Sequence, residues 1–293
     1  MSPAAYRRVT LLALVALFFI VVTGGAVRLT GSGLGCPDWP TCSNDRLVAP
    51  WEYHAMVEFV NRVVTGVVSV VVILAVLGSL RRVPRRRDLV GYSLGLVAGV
   101  LGQIVLGGLT VLFHLHPALV SGHFLVSMAL LWCAVVLHHR AGRPDDAVAV
   151  EAADPELVRV SRLLLWSGGL TIVLGTVVTA SGPHGGDETA RRYGFDPGEV
   201  TRFHGISALL FVALLLYTVW GMVRTGAPAD LVRRAEVVVA VVVAQIVIGY
   251  VQYFNGVPAL LVGLHITGAA AAWVAVVWFR VGVGDRARTP VRA

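Results

Sequence analysis

Gln245–His265, QIVIGYVQYFNGVPALLVGLH, decides how this chain folds, because Gln103–His123, QIVLGGLTVLFHLHPALVSGH, nearly repeats it. In each stretch an apolar segment opens on glutamine and ends in a polar loop holding Pro-Ala-Leu, at Pro117 or Pro258. A second apolar segment follows and carries a histidine, twenty residues after the glutamine both times. Equal spacing in two such distant stretches marks a duplicated unit. A histidine inside an apolar segment is costly unless something binds it, so each copy proposes a site, at His123 and at His265. Two such histidines at matched depth suggest a metal–porphyrin protein.

Hydrophobic residues make up 56% of the 293 and charged residues 14%, the balance of an integral membrane protein. Eight apolar stretches of ~20 residues are each long enough to cross a bilayer as a helix. They lie near 8–28, 56–80, 89–112, 119–140, 159–180, 201–223, 235–254 and 259–280. The second and sixth carry polar residues in their first turns, which blurs those two boundaries. The expected fold is an all-α membrane protein with two pseudo-symmetric four-helix halves, 1–140 and 159–293, joined by a polar linker, 141–158.

All 24 basic residues are arginine, and eighteen of them flank one side of these spans. The other side carries six: Arg28, Arg46, Arg62, Arg191, Arg192 and Arg202. The positive-inside rule then places both termini in the cytoplasm. The net charge of +7 is therefore topological, and nothing supports a nucleic-acid partner. Fewer than ten residues precede the first span, without a small-residue cleavage signal, so no removable targeting segment is expected.

The first external loop, GGAVRLTGSGLGCPDWPTC, is rich in glycine and proline and reads as turns. Cys36 and Cys42, with five residues between them on the oxidising side, favour a disulfide over a pair of free thiols. A zinc site is disfavoured, because only His54 is near and structural zinc wants four ligands. Cys133, alone in the fourth span, reads as a small buried hydrophobe.

Thr30–Cys42, TGSGLGCPDWPTC, resembles the first-loop signature of the heme A synthases. SGPHGGD at Ser181–Asp187, RFHG at Arg202–Gly205 and PALVSGHFLVSM at Pro117–Met128 agree with it, so the resemblance covers nearly the whole chain. It implies an oxidoreductase of the bacterial plasma membrane that converts the C8 methyl of heme O to a formyl group and carries a heme b. It further implies a heme O synthase as supplier, an electron donor of unknown identity and a terminal oxidase as destination. The family commonly shows Glu-x-x-His-Arg at the start of the second span, with the histidine an axial ligand of the substrate heme. This chain reads Glu58-Phe-Val-Asn61-Arg62, so one of four expected ligands is replaced. His54 is a substitute on paper, but at seven residues upstream it is about 10 Å away along a helix.

His204 opens the sixth span where Asn61 opens the second, and it precedes its own glutamine-to-histidine stretch by nearly the same interval. His204 and His265 are thus the expected axial ligands of heme b, both placed towards the outer leaflet; the alternative is that each merely bonds a carbonyl on a neighbouring helix. His123 is the expected ligand of the substrate iron. Six-coordinate iron between two imidazoles passes electrons, whereas an open position suits oxidation. Glu58 is expected to position a proton or stabilise charge at the reacting methyl, and Asn61 to offer a hydrogen bond. Arg62, Arg202 and His184 are candidate propionate or lid contacts, His184 equally well in a plain surface turn. The disulfide loop is expected to lie above the first-half pocket and fix the entrance of the second helix, a brace being favoured over a part in electron delivery. Glycine-rich faces such as Gly95, Gly99 and Gly102 serve packing within or between chains, so a homo-oligomer is open. Two other functions remain in play: a quinol-oxidising bis-heme electron carrier that leaves its porphyrin unmodified, and an assembly partner of a terminal oxidase without chemistry of its own.

Overall fold

A computed structural model describes residues 1–43, 48–145, 148–150, 154–284 and 286–288. Arg46, Arg292 and parts of the expected linker lie outside the described residues. Among the described residues, eight helices are long and apolar enough to cross a membrane. They are α1 (Pro3–Leu29), α2 (Tyr53–Arg81), α3 (Arg87–Leu112) and α4 (Pro117–Ala141), then α5 (Pro155–Ser181), α6 (Pro197–Thr225), α7 (Ala229–Phe254) and α8 (Ala259–Gly284). A short antiparallel ribbon, β1 (Val148–Val150) with β2 (Arg286–Arg288), joins the linker to the C-terminal tail.

The helix starts follow from local chemistry. α1, α4, α5 and α6 each begin on proline, whose missing N–H costs nothing in a first turn. Asp196 caps α6 by accepting from the Glu199 N–H at 2.9 Å, and Asp154 caps α5 through Glu156 N–H at 2.9 Å. These caps extend α5 and α6 four residues before the apolar runs begin, and α2 starts three residues early at Tyr53. α6 ends at Gly226, whose φ of 62° supplies the left-handed residue of a C-cap.

Within each half consecutive helices pack side by side and the last returns to the first, α4 to α1 and α8 to α5, giving two four-helix squares. The squares meet through α1, α4, α5 and α8. Where hydrocarbon surrounds the helices, close packing and interhelical hydrogen bonds replace the hydrophobic effect as the source of association. Gly99 shows the packing: a Cβ there would lie 2.4 Å from Leu130 of α4. Trp273 Nε1 of α8 donates to the Met128 carbonyl of α4 at 2.8 Å and pins the two halves together. Val63, Val67, Val70, Leu74 and Leu77 recur on one exposed face of α2, the pattern of a lipid-facing stripe.

At the arginine-rich end Arg82 is buried and donates to Asp145 at 2.5 Å, tying the start of the linker to the α2–α3 turn. The duplication is visible in single atoms. Leu115 N–H donates to the Thr110 carbonyl at 2.7 Å and Val257 N–H to the Gln252 carbonyl at 2.8 Å. These bonds close the same tight turn before α4 and before α8.

Candidate functional site

The two glutamines that open the repeats orient the helices bearing the histidines. Gln103 Nε2 donates to the His123 carbonyl at 3.0 Å, and Gln245 Nε2 donates to the His265 carbonyl at 3.0 Å. The same atoms are buried without a partner among the described residues in each half: Gln103 Oε1 and His123 Nδ1, Gln245 Oε1 and His265 Nδ1. Gly107 and Gly249 clear the space beside these rings, since a Cβ would stand 3.5 Å from His123 Cε1 and 3.4 Å from His265 Cε1.

In the second half α6 carries His204 to the opposite side of the square. Its ring centre lies 6.3 Å from that of His265, with the planes at 83°. Two imidazoles bonded to one metal at about 2 Å each would hold their ring centres about 6 Å apart. His204 Nδ1 lies 3.0 Å from the Thr171 carbonyl of α5, the outer bond typical of a ligating imidazole, which leaves Nε2 as its acceptor. Gly175 gives the ring room, since a Cβ there would stand 3.2 Å from His204 Cε1. Among the described residues, no group of three or more His, Cys, Asp or Glu side chains could hold a metal. An iron fitting these paired histidines would therefore bring its remaining ligands with it, as a porphyrin does.

In the first half Asn61 takes the place of His204. Its Oδ1 accepts from Thr23 Oγ1 of α1 at 2.8 Å, so the amide NH₂ is the end left to donate. Beside it, at the arginine-poor end of α1 and α2, opens a cleft of about 560 Å³. Thr23 and Val27 of α1 and Met56, Val60, Asn61 and Val64 of α2 are among its walls.

Glu58 and Asn61 diverge. Glu58 is buried and faces the loop after α1, accepting from Cys36 N–H at 2.7 Å and from Arg62 Nη2 at 2.6 Å. Arg62 spends its guanidinium on the loop, donating to the carbonyls of Cys36, Asp38 and Thr41, and it lies 5.2 Å from the centre of the Trp39 ring. The disulfide Cys36–Cys42 is present and buried, and Trp39 sits where a side chain on Gly108 of α3 would be. The loop is thus fixed to α2 and α3 together, above the first half. His54, exposed at the start of α2, lies 2.9 Å from Ser32 Oγ through Nδ1.

His184 is held on both sides: its Nε2 lies 2.8 Å from the Val257 carbonyl, and its own carbonyl accepts from Arg28 Nε at 2.7 Å. Arg202 is exposed on the first turns of α6. The sequence does not point to Thr23, Thr171 or the bonds that Gln103 and Gln245 make to the histidine carbonyls. The repeat contained the glutamine signal; the threonines had none, because only the fold brings them to their partners.

The family model described as "Cytochrome oxidase assembly protein" (COX15-CtaA) matches residues 7–55 and 48–184, more than half of the chain. A heme A synthase of Geobacillus kaustophilus is 30% identical over 149 residues, covering 48% of this chain and 46% of that protein. One of Methylobacterium radiotolerans is 31% identical over 169 residues, covering 53% of this chain and 45% of its own length. A protoheme IX farnesyltransferase of Thermus thermophilus is 27% identical over 297 residues, covering 93% of this chain and 46% of that protein. The chain thus spans about half the length of the curated relatives it matches.

Proposed function

The chain belongs to the cytochrome oxidase assembly protein family (COX15-CtaA), and we propose that it is a heme A synthase that oxidises the C8 methyl of heme O to a formyl group. One observation carries this reading: a pair of imidazoles 6.3 Å apart in the second half, against a single imidazole in the first, with Asn61 where its partner would stand. His204 and His265 would hold a heme b, the Thr171 carbonyl fixing the tautomer of His204. When bound, this heme supplies one-electron transfer.

His123 would hold the iron of the substrate from one side only. Asn61, its oxygen occupied by Thr23, directs its amide hydrogens towards the substrate. The apolar cleft between α1 and α2 gives a lipophilic porphyrin a route to Asn61. Glu58 acts through the loop: with Cys36 N–H and Arg62 it holds the disulfide segment over the first half, so it is a positioning residue in this account. The same reading places the protein in the bacterial plasma membrane with both sites towards the outer leaflet, and its product in the assembly of a terminal oxidase. Farnesylation of protoheme, the activity named in the Thermus relative, is the class of reaction that would supply the substrate.

The His204–His265 pair taken alone also suits a bis-heme electron carrier. Extracting the pigments of cells that express the chain separates the two. Formyl-bearing heme supports the synthase; heme O accumulating unchanged beside a reducible b-type pigment would favour the carrier.

A further inference from the structure

The arginine-poor end of the bundle has few cations, yet three of them converge on one crevice. Arg28 in the last turn of α1 lines it with Arg191 and Arg192 of the loop after α5, against Leu115, Pro117 and Val120. Arg28 Nε and Nη2 donate to the His184 and Thr179 carbonyls at 2.7 and 3.0 Å. Arg192 donates to the Ala190 and Pro183 carbonyls at 3.2 and 2.8 Å. Carbonyls orient a guanidinium without neutralising it. Among the described residues no carboxylate forms an ion pair with any of the three. Of the two acids nearest in sequence, Glu188 makes no ion pair among the described residues, and Asp187 turns Oδ1 to Thr189 N and Oγ1. The position of Arg192 is also built for: a Cβ on Gly185 would lie 1.3 Å from its Nη1, so only glycine lets it lie there.

Convergent like charges oppose one another unless an anion joins them. We propose that this crevice binds the phosphate of an acidic phospholipid headgroup, which bridges the two four-helix halves. One arginine satisfies a carboxylate through two parallel bonds, whereas a phosphate offers oxygens in several directions and suits donors arriving from three sides. The crevice is too narrow to hold even a water molecule inside, so a headgroup phosphate seats at its mouth, where Arg191 is exposed, and a porphyrin has no entry. Its walls are helix ends (the last turn of α1, the first of α4 and the last of α5), the level at which headgroups stand if these helices span the bilayer. Arg28 comes from the first half and the other two from the second, so a bound phosphate adds to the contact between them.

The test is thermal unfolding of the purified full chain in neutral detergent, titrated with phosphatidylglycerol, phosphatidylcholine or inorganic phosphate. Phosphatidylglycerol is expected to raise the midpoint by about 4 °C, and the other two much less. Arg191→Gln removes an exposed side chain with no hydrogen bond among the described residues, and it should weaken the phosphatidylglycerol response about tenfold without changing the midpoint in its absence. Gly185→Ala, which displaces Arg192 but keeps every charge, should weaken it likewise. An equal response to phosphatidylcholine, or the whole shift from inorganic phosphate, overturns the lipid assignment. So does an Arg191→Gln protein that titrates like the parent, or one that loses porphyrin while its lipid response stays intact. None of these results depends on heme A being made.

Discussion

In the second half, His204 faces His265 with Thr171 behind it; in the first, His123 has Asn61 on the matching helix, and Asn61 leans on Thr23 instead. Beneath this difference the halves share the glutamine on the histidine carbonyl, the glycine against the ring and the tight turn before the helix. The same scaffold thus carries one site closed by two imidazoles and one that keeps a single imidazole beside a cleft. Under the proposed function, the duplicated unit would separate electron handling from substrate handling by replacing one histidine with Asn61 and bracing one loop.

The brace carries the largest expected effect. Glu58→Ala removes the acceptor shared by Cys36 N–H and Arg62 and frees the loop over the first half. Heme A production should fall about a hundredfold, as a misplaced catalytic surround does. The b-type pigment of the second half should persist, which extraction of purified protein will read; full activity would remove Glu58 from the mechanism.

Asn61→His makes the halves alike. It should give the first half a second six-coordinate absorbance signature and lower turnover by about tenfold, because the open side of the substrate iron is filled. Unchanged turnover would mean that the difference between Asn61 and His204 is not functional. Replacing Cys36 and Cys42 together by serine should cost about 2 kcal/mol of stability, seen in thermal unfolding, with turnover retained, since Glu58 and Arg62 still hold the loop. Thr23→Val removes one hydrogen bond of about 1 kcal/mol, so turnover should drop about fivefold with b-type heme content unaltered.

The eight helices and their doubling could be read from the chain because hydropathy and the Gln-to-His interval are properties of sequence alone. His123 and His265 stand out as candidates because an imidazole in an apolar run is unusual, and His204 because its interval to the second repeat matches that of Asn61 to the first. What escaped were relations between distant residues. Glu58 and Asn61, three apart on α2, point to different neighbours because the first-loop backbone approaches one and α1 the other. Arg62 looked like a partner for an anionic ligand, yet three loop carbonyls and Glu58 occupy it. The polar first turns of α5 and α6 hid their starts because capping by Asp154 and Asp196, not hydropathy, sets them.

One experiment bears hardest on the account: purify the wild type, His123→Ala and His265→Ala, extract the pigments and record their spectra. Loss of b-type heme with His265→Ala and its retention with His123→Ala is the result expected. A His265→Ala protein that keeps its b-type heme, or a wild type without porphyrin, would contradict it.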